Sequence, residues 1–130
     1  MTGKDEILSI LRNLALDRAA VQLMQEDIVR IEEVVKQKEL PAGKRKALEK
    51  ERVRLVACLL TTASHITRIE RLLGLLTAEE QKVLEYTIVY PRPEAVFDLA
   101  DELHCETTRV YRLRSGAISK LIRLRFGAGE

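Results

Sequence analysis

Residues 4–39 read KDEILSILRNLALDRAAVQLMQEDIVRIEEVVKQKE, and their spacing decides the fold class. With Ile7 opening a heptad, Ile7, Leu14, Val21, Ile28 and Val35 form one row, apolar throughout. The companion row is Ile10, Asp17, Met24, Ile31 and Lys38, apolar at three of five places. Such a pattern sustained over five heptads predicts one helix over 4–39, with a seam for a partner helix. At 1.5 Å per residue that helix is ~50 Å long. Leu40-Pro41-Ala42-Gly43 should end it, because proline disfavours helical geometry at Leu40 and Gly43 tolerates positive φ. A second heptad run has Leu48, Leu55, Thr62 and Ile69 in one row and Arg52, Leu59, Ile66 and Leu73 in the other. A short Pro/Gly connection between two long helices makes them antiparallel neighbours.

Composition separates this hairpin from the C-terminal part of the chain. The chain has 130 residues and no Trp, and all five aromatics (Tyr86, Tyr90, Phe97, Tyr111, Phe126) lie after residue 76. The expected division is therefore 1–75, a coiled-coil-like antiparallel hairpin, and 76–130, a second module. Both hairpin helices are also apolar beyond the seam, at Leu8, Leu11, Leu16 and Leu23, and at Val53, Val56, Leu60 and Leu72. Two helices cannot cover stripes that wide. Dimerisation into a four-helix arrangement would cover them, as would docking of the C-terminal module. The first is the expectation, with the hairpin serving oligomerisation or partner binding as a homodimer. Asp17 and Arg52 interrupt the seams, where they could pair with one another or set register. The basic residues around the turn (Lys44, Arg45, Lys46, Lys50) read as a solvated helix start.

In the second module, Thr77-Ala78-Glu79-Glu80 has the spacing of a capping box and predicts a helix from Ala78 to about Val89. Its core residues are Val83, Leu84, Ile88 and Tyr86. Tyr90-Pro91-Arg92-Pro93 breaks it, and the next helix should open near Pro93-Glu94 and bury Val96, Leu99, Ala100 and Leu103. His104-Cys105-Glu106 is the turn into a last helix from Thr107, whose apolar face is Val110, Leu113, Ala117, Ile118, Leu121 and Leu124. Two helices joined this way, with small Ala100 at the crossing, predict a helix-turn-helix. The formal net charge of +2 hides a strong segregation. Residues 77–106 hold two cations against eight acids, a net of −6, whereas 107–130 hold six cations against Glu130, a net of +5. The positive charge falls on the helix that would enter a DNA groove.

The stretch from Leu76 to Leu121 resembles region 4 of bacterial sigma-70 factors, in which an "LT..E..VL" helix precedes "EIA..LGVS...V....AL.KLR". The matching residues are Leu76-Thr77-Ala78-Glu79-Glu80, Asp98-Leu99-Ala100, Leu103-His104-Cys105-Glu106, Val110, Ala117-Ile118 and Lys120-Leu121. The run Val110-Tyr111-Arg112-Leu113-Arg114 is similar to phage-encoded sigma-like regulators of the RinA/ArpU late-transcription type, which also carry a helical region before the module. The resemblance implies double-stranded DNA as partner, with RNA polymerase as a further one. It places Thr107, Thr108, Tyr111 and Arg112 at base edges and Arg109 and Arg114 at phosphates. Arg, Thr and Tyr are residue types suited to base edges and phosphate oxygens. Three departures stand out: Glu106 where the family has Ser or Thr, His104 where it has the turn Gly, and Gly116 inside the last helix. His is among the residues enriched at positive φ.

The expected function is a DNA-binding, phage- or prophage-type transcriptional regulator. Two alternatives share the architecture. One is a small terminase subunit or other DNA-packaging protein; the other is an interaction protein for polymerase or a sigma factor that does not bind DNA. No enzyme is expected: no catalytic pair with a third partner and no glycine-rich phosphate loop occurs, and Gly127-Ala128-Gly129 reads as a frayed tail. No cofactor or metal is expected either, because His65 and His104 lack ligand-type spacing. Cys58 reads as a small packed apolar group. The two cysteines have no ligand spacing and suit a reducing compartment. No run approaches the ~20 apolar residues that span a bilayer, and the charged start is unlike a signal peptide. A cytoplasmic location, in a bacterial or phage-infected cell, is the corresponding expectation.

Overall fold

The computed structural model describes residues 2–127, so Ala128 and Gly129 of the expected tail and the charge of Glu130 lie outside the described residues. The described chain is all-α, with no strand. The elements are α1 (Gly3–Val35), α2 (Ala42–Leu73), α3 (Ala78–Leu84, continuing as a π-helical turn Glu85–Val89), α4 (Ala95–Glu102) and α5 (Thr107–Phe126). Compactness groups them into two units. One is Leu16–Thr67; the other combines the described part of Met1–Ala15 with that of Arg68–Glu130. The first turns of α1 are thus part of the unit that carries α3 to α5.

Within Leu16–Thr67, the polar contacts between the long helices run antiparallel. Arg52 meets Glu32 at 3.6 Å and His65 Nε2 meets Asp17 at 4.0 Å. Asp17 and Arg52, the two polar seam residues, therefore each take a different partner rather than one another. α1 ends at Val35, four residues earlier than its heptads suggest. The cause is Arg45, expected to be only a solvated residue: its guanidinium donates to the carbonyls of Val35 and Gln37, the latter at 2.8 Å. A side-chain fork thereby satisfies carbonyls that a further turn of helix would otherwise use. Lys38 falls outside the helix. The seam side chains from Leu14 to Val35 and from Leu48 to Ile66 are buried or half-buried. Beyond the seam, Leu16, Leu23, Val53 and Leu60 remain 60–68% exposed. Cys58, expected to pack, is exposed.

The second unit is built on a small core. Val83, Leu99, Ala100 and Val110 form its centre, with Tyr86, Val96, Cys105 and Leu113 packed against them. Ile7, Leu11, Ile69, Leu76, Leu84, Ile88, Ala117, Ile118 and Leu121 are also buried. Leu124 is the exception on the expected apolar face of α5, at 45% exposed. α3 opens with a capping box: the Thr77 amide donates to Glu80 Oε1 at 3.0 Å and the Glu80 amide to Thr77 Oγ1 at 3.2 Å. The helix widens after Leu84, where the Tyr90 amide reaches the Glu85 carbonyl at 2.8 Å. α4 starts at Ala95, one residue later than expected, because Glu94 takes a left-handed conformation (φ 57) as its cap.

Candidate nucleic-acid interface

The path from α4 into α5 fixes how α5 is presented. Leu99 and Ala100 anchor α4 in the core, and the chain leaves it through a Schellman turn. His104 is left-handed (φ 53), its amide donates to Asp101 O at 3.3 Å, and the Cys105 amide donates to Ala100 O at 2.9 Å. Cys105 then packs on the core beside Ala100, the apolar contact that this motif favours. Histidine accepts the conformation that glycine fills most readily. α5 begins at Thr107 with Glu106 as its cap. The Glu106 side chain makes no capping bond, so the substitution of acid for hydroxyl leaves that end without side-chain closure.

One face of α5 is fixed in the core. Val110 and Ala117 are fully buried, and Ile118 and Leu121 nearly so. The opposite face is open: Thr108, Arg112, Ser115 and Ser119 are exposed at helical spacing, with Tyr111 57% exposed beside them. Thr107 is half-buried at the first position of the helix. Of the six residues singled out from the sequence, Thr108, Tyr111 and Arg112 thus lie together on an accessible surface. Ser115 and Ser119 extend that surface. Their signal was present in the sequence as the seven- and eleven-residue steps from Thr108.

Arg109 and Arg114 are placed differently. Arg109 Nη2 lies 3.0 Å from Glu79 Oε2, at the first turn of α3. Arg114 is half-buried and faces a cleft shared with Lys4. Two further cations of α5 are also paired: Lys120 Nζ is 2.9 Å from Glu80 Oε1, and Arg125 Nη2 is 3.0 Å from Glu6 Oε1. Among the described residues, Arg112, Arg114 and Arg123 of α5 have no acidic partner. The positive charge of α5 is therefore about half neutralised by carboxylates of α1 and α3.

Glu80 is the one buried charged residue in the chain's described part, at 4% exposed. Burial by itself pushes its carboxyl upward. The Thr77 amide, the Lys120 ammonium and the Thr77 hydroxyl together outweigh that and hold it below the usual glutamate range. On the far side of α3, the Arg92 guanidinium stacks on the Tyr86 ring, 3.6 Å from its centroid, and Lys82 pairs with Glu102. That hydrogen bond raises the Lys82 ammonium above its ordinary value.

No group of three or more potential metal-ligating side chains occurs among the described residues. No described helix is long and apolar enough to cross a membrane. The chain matches no family model, no curated protein and no solved structure.

Proposed function

We propose that this chain is a DNA-binding transcriptional regulator of the phage or prophage type, in which α4, the His104 turn and α5 act as a sigma-region-4-like helix-turn-helix. The observation that carries the reading is the exposed face of α5. Thr108, Tyr111 and Arg112 project from a helix whose back is held in a core, immediately after a turn closed by two backbone hydrogen bonds. Arginine can donate two parallel bonds to a guanine edge, and threonine can bond a base or touch a thymine methyl. Arg112 is the residue assigned to base reading; Arg109, occupied by Glu79, is assigned a minor part. RNA polymerase is the second partner of this reading.

The antiparallel hairpin of α1 and α2 serves as the dimerisation element. Leu16, Leu23, Val53 and Leu60 support this, because large apolar side chains left 60–68% exposed are covered when a second hairpin packs on them. A dimer would set two α5 helices on half-sites about one helical turn, or a multiple of it, apart.

The test is binding to duplex DNA taken upstream of the neighbouring operon, by wild type, Arg112→Ala and the Arg109→Ala/Arg112→Ala double variant. Loss of a base contact costs about 1–3 kcal/mol, so Arg112→Ala should bind roughly tenfold or more weakly. The second substitution should add little. Equal binding by all three proteins removes the assigned surface. Light scattering decides the assembly: a dimer fits a regulator, and a ring-sized oligomer favours a DNA-packaging subunit.

A further inference from the structure

The first turn of α1 is seated directly on α5. Gly3 makes the approach close: a Cβ there would lie 3.3 Å from Ile122 Cγ2 and 3.4 Å from the Phe126 ring. Glu6 anchors the same turn through Arg125 at 3.0 Å. The turn itself is closed by Thr2 and Asp5, with the Asp5 amide donating to Thr2 Oγ1 at 3.1 Å and that hydroxyl donating to Asp5 Oδ2 at 2.8 Å. Lys4 is thereby held beside the middle of α5, 110 residues away in sequence from Arg114.

A cleft of about 130 Å³ opens where they meet. One water needs only ~10–15 Å³ by the same measure, so the space suits a polyatomic ion. Ile118 and Ile122 form its apolar wall, and Lys4, Arg114, Ser115 and Ser119 supply its polar groups. Ser115 and Ser119 stand one helical turn apart on the same face. No carboxylate lines the cleft. Arg114 has no acidic partner among the described residues, and Lys4 feels only its chain neighbour Asp5 without forming an ion pair, whereas Arg109, Lys120 and Arg125 each hold one. Two cations lining one cleft that holds no carboxylate favour an anion there.

We infer that this cleft binds one phosphate group. A guanidinium fork, an ammonium point charge and two hydroxyls match the several oxygens and the charge of that ion. The phosphate is supplied by the DNA backbone. Tyr111 precedes Arg114 by three residues on α5, so a strand lying along the Thr108–Tyr111–Arg112 surface continues onto the cleft. This assignment of the source rests on the DNA-binding reading. The binding chemistry does not, since a free phosphate ion or a phosphomonoester presents the same oxygens.

Two measurements on the full chain test it, each with Lys4→Gln and Arg114→Gln. Lys4 is exposed, so Lys4→Gln preserves the fold even if the half-buried Arg114 proves sensitive. In the first, inorganic phosphate is titrated against the free protein and the amide resonances of Ser115 and Ser119 are followed. Saturable shifts are expected in wild type at millimolar phosphate, weakened about tenfold or more in either variant. In the second, duplex affinity is measured from 50 to 200 mM salt. Loss of one phosphate contact should make the slope of log K against log salt shallower by about 0.9. Phosphate shifts with an unchanged slope keep the site but overturn DNA as its source. Absent shifts together with an unchanged slope overturn the site while leaving DNA binding by Arg112 standing. A wild type that binds no duplex overturns the DNA-binding reading and DNA as the source, and the phosphate titration then decides the site alone.

Discussion

Replacing Glu80 by alanine should cost about 1–3 kcal/mol of folding stability. Its carboxylate accepts from the Thr77 amide at 3.0 Å and from Lys120 Nζ at 2.9 Å, and it is buried at 4% exposure. Losing the returning half of a capping box removes about 1 kcal/mol. The donor of that same bond, the Thr77 amide, is left unpaired in a part-buried position, which brings the loss of the bond to about 1–2 kcal/mol in all. Lys120 is 53% exposed, so the ion pair itself adds only about 0.2–1 kcal/mol. Glu80→Gln keeps an oxygen for the Thr77 amide and gives up the charge, so it should cost about 1 kcal/mol or less. Urea denaturation at pH 7, with the midpoint and slope compared across the three proteins, reads these values.

The same pair of variants separates the charge from the hydrogen bond through pH. The Glu80 carboxyl is held below the usual glutamate range in the folded chain, despite burial, by Thr77 and Lys120. A lowered folded pKa means that the unfolded chain binds more protons in acid. Its contribution is therefore complete above the unfolded pKa and is lost as pH falls towards the folded one. Wild type should lose stability more steeply than Glu80→Gln as pH falls below the ordinary carboxylate range. An alanine variant within about 0.5 kcal/mol of wild type would refute the assigned role of this contact. So would acid limbs of equal slope in wild type and glutamine variant.

Three further outcomes rest on local geometry. Gly116 lies inside α5 with nothing within 4 Å of where a Cβ would sit, so Gly116→Ala should stabilise by about 1 kcal/mol, read as a raised urea midpoint. If the DNA strand lies against this face, the added methyl should leave stability higher and duplex affinity lower. Leu99→Ala, at a fully buried position in the core of α3, α4 and α5, should cost about 2–5 kcal/mol in the same assay; a loss under 1 kcal/mol would contradict the packing. Arg45→Ala should release the Val35 and Gln37 carbonyls and speed hydrogen exchange between Val34 and Leu40 without altering the amides of α5.

Helical elements with strong local signals were legible in the sequence. The heptads of residues 4–39 and 48–73 mark helices because seam positions recur every 3.5 residues whatever the partner. Thr77 and Glu80 mark the start of α3 because a capping box closes within four residues. The boundaries that escaped were set by non-local or unusual geometry. Arg45 truncates α1 from across the turn, the ladder widens after Leu84, and Glu94 enters a left-handed conformation before α4. None of these leaves a periodic trace.

The charge pattern shows the deeper limit. Along the sequence, acids gather on residues 77–106 and bases on 107–130, as if one segment would repel DNA and the other attract it. In space these charges meet. Glu79 holds Arg109 and Glu80 holds Lys120, while Glu6, 119 residues from Arg125, holds that third cation. Counting residues could not reveal this, because pairing depends on which helices pack together. The acids of α3 are restraints on α5 as much as a negative field beside it. The cations they leave unpaired are informative. Arg112 stands on the open face of α5, and Arg114 stands with Lys4 at the cleft. A helix that neutralises half its cations internally gains little from nonspecific attraction, since each lost phosphate contact also lowers the salt-dependent affinity. On the proposed DNA-binding reading, such a helix depends on a few placed groups rather than on bulk charge. Arg112 and the Lys4–Arg114 cleft are the positions at which substitution should have the largest effect.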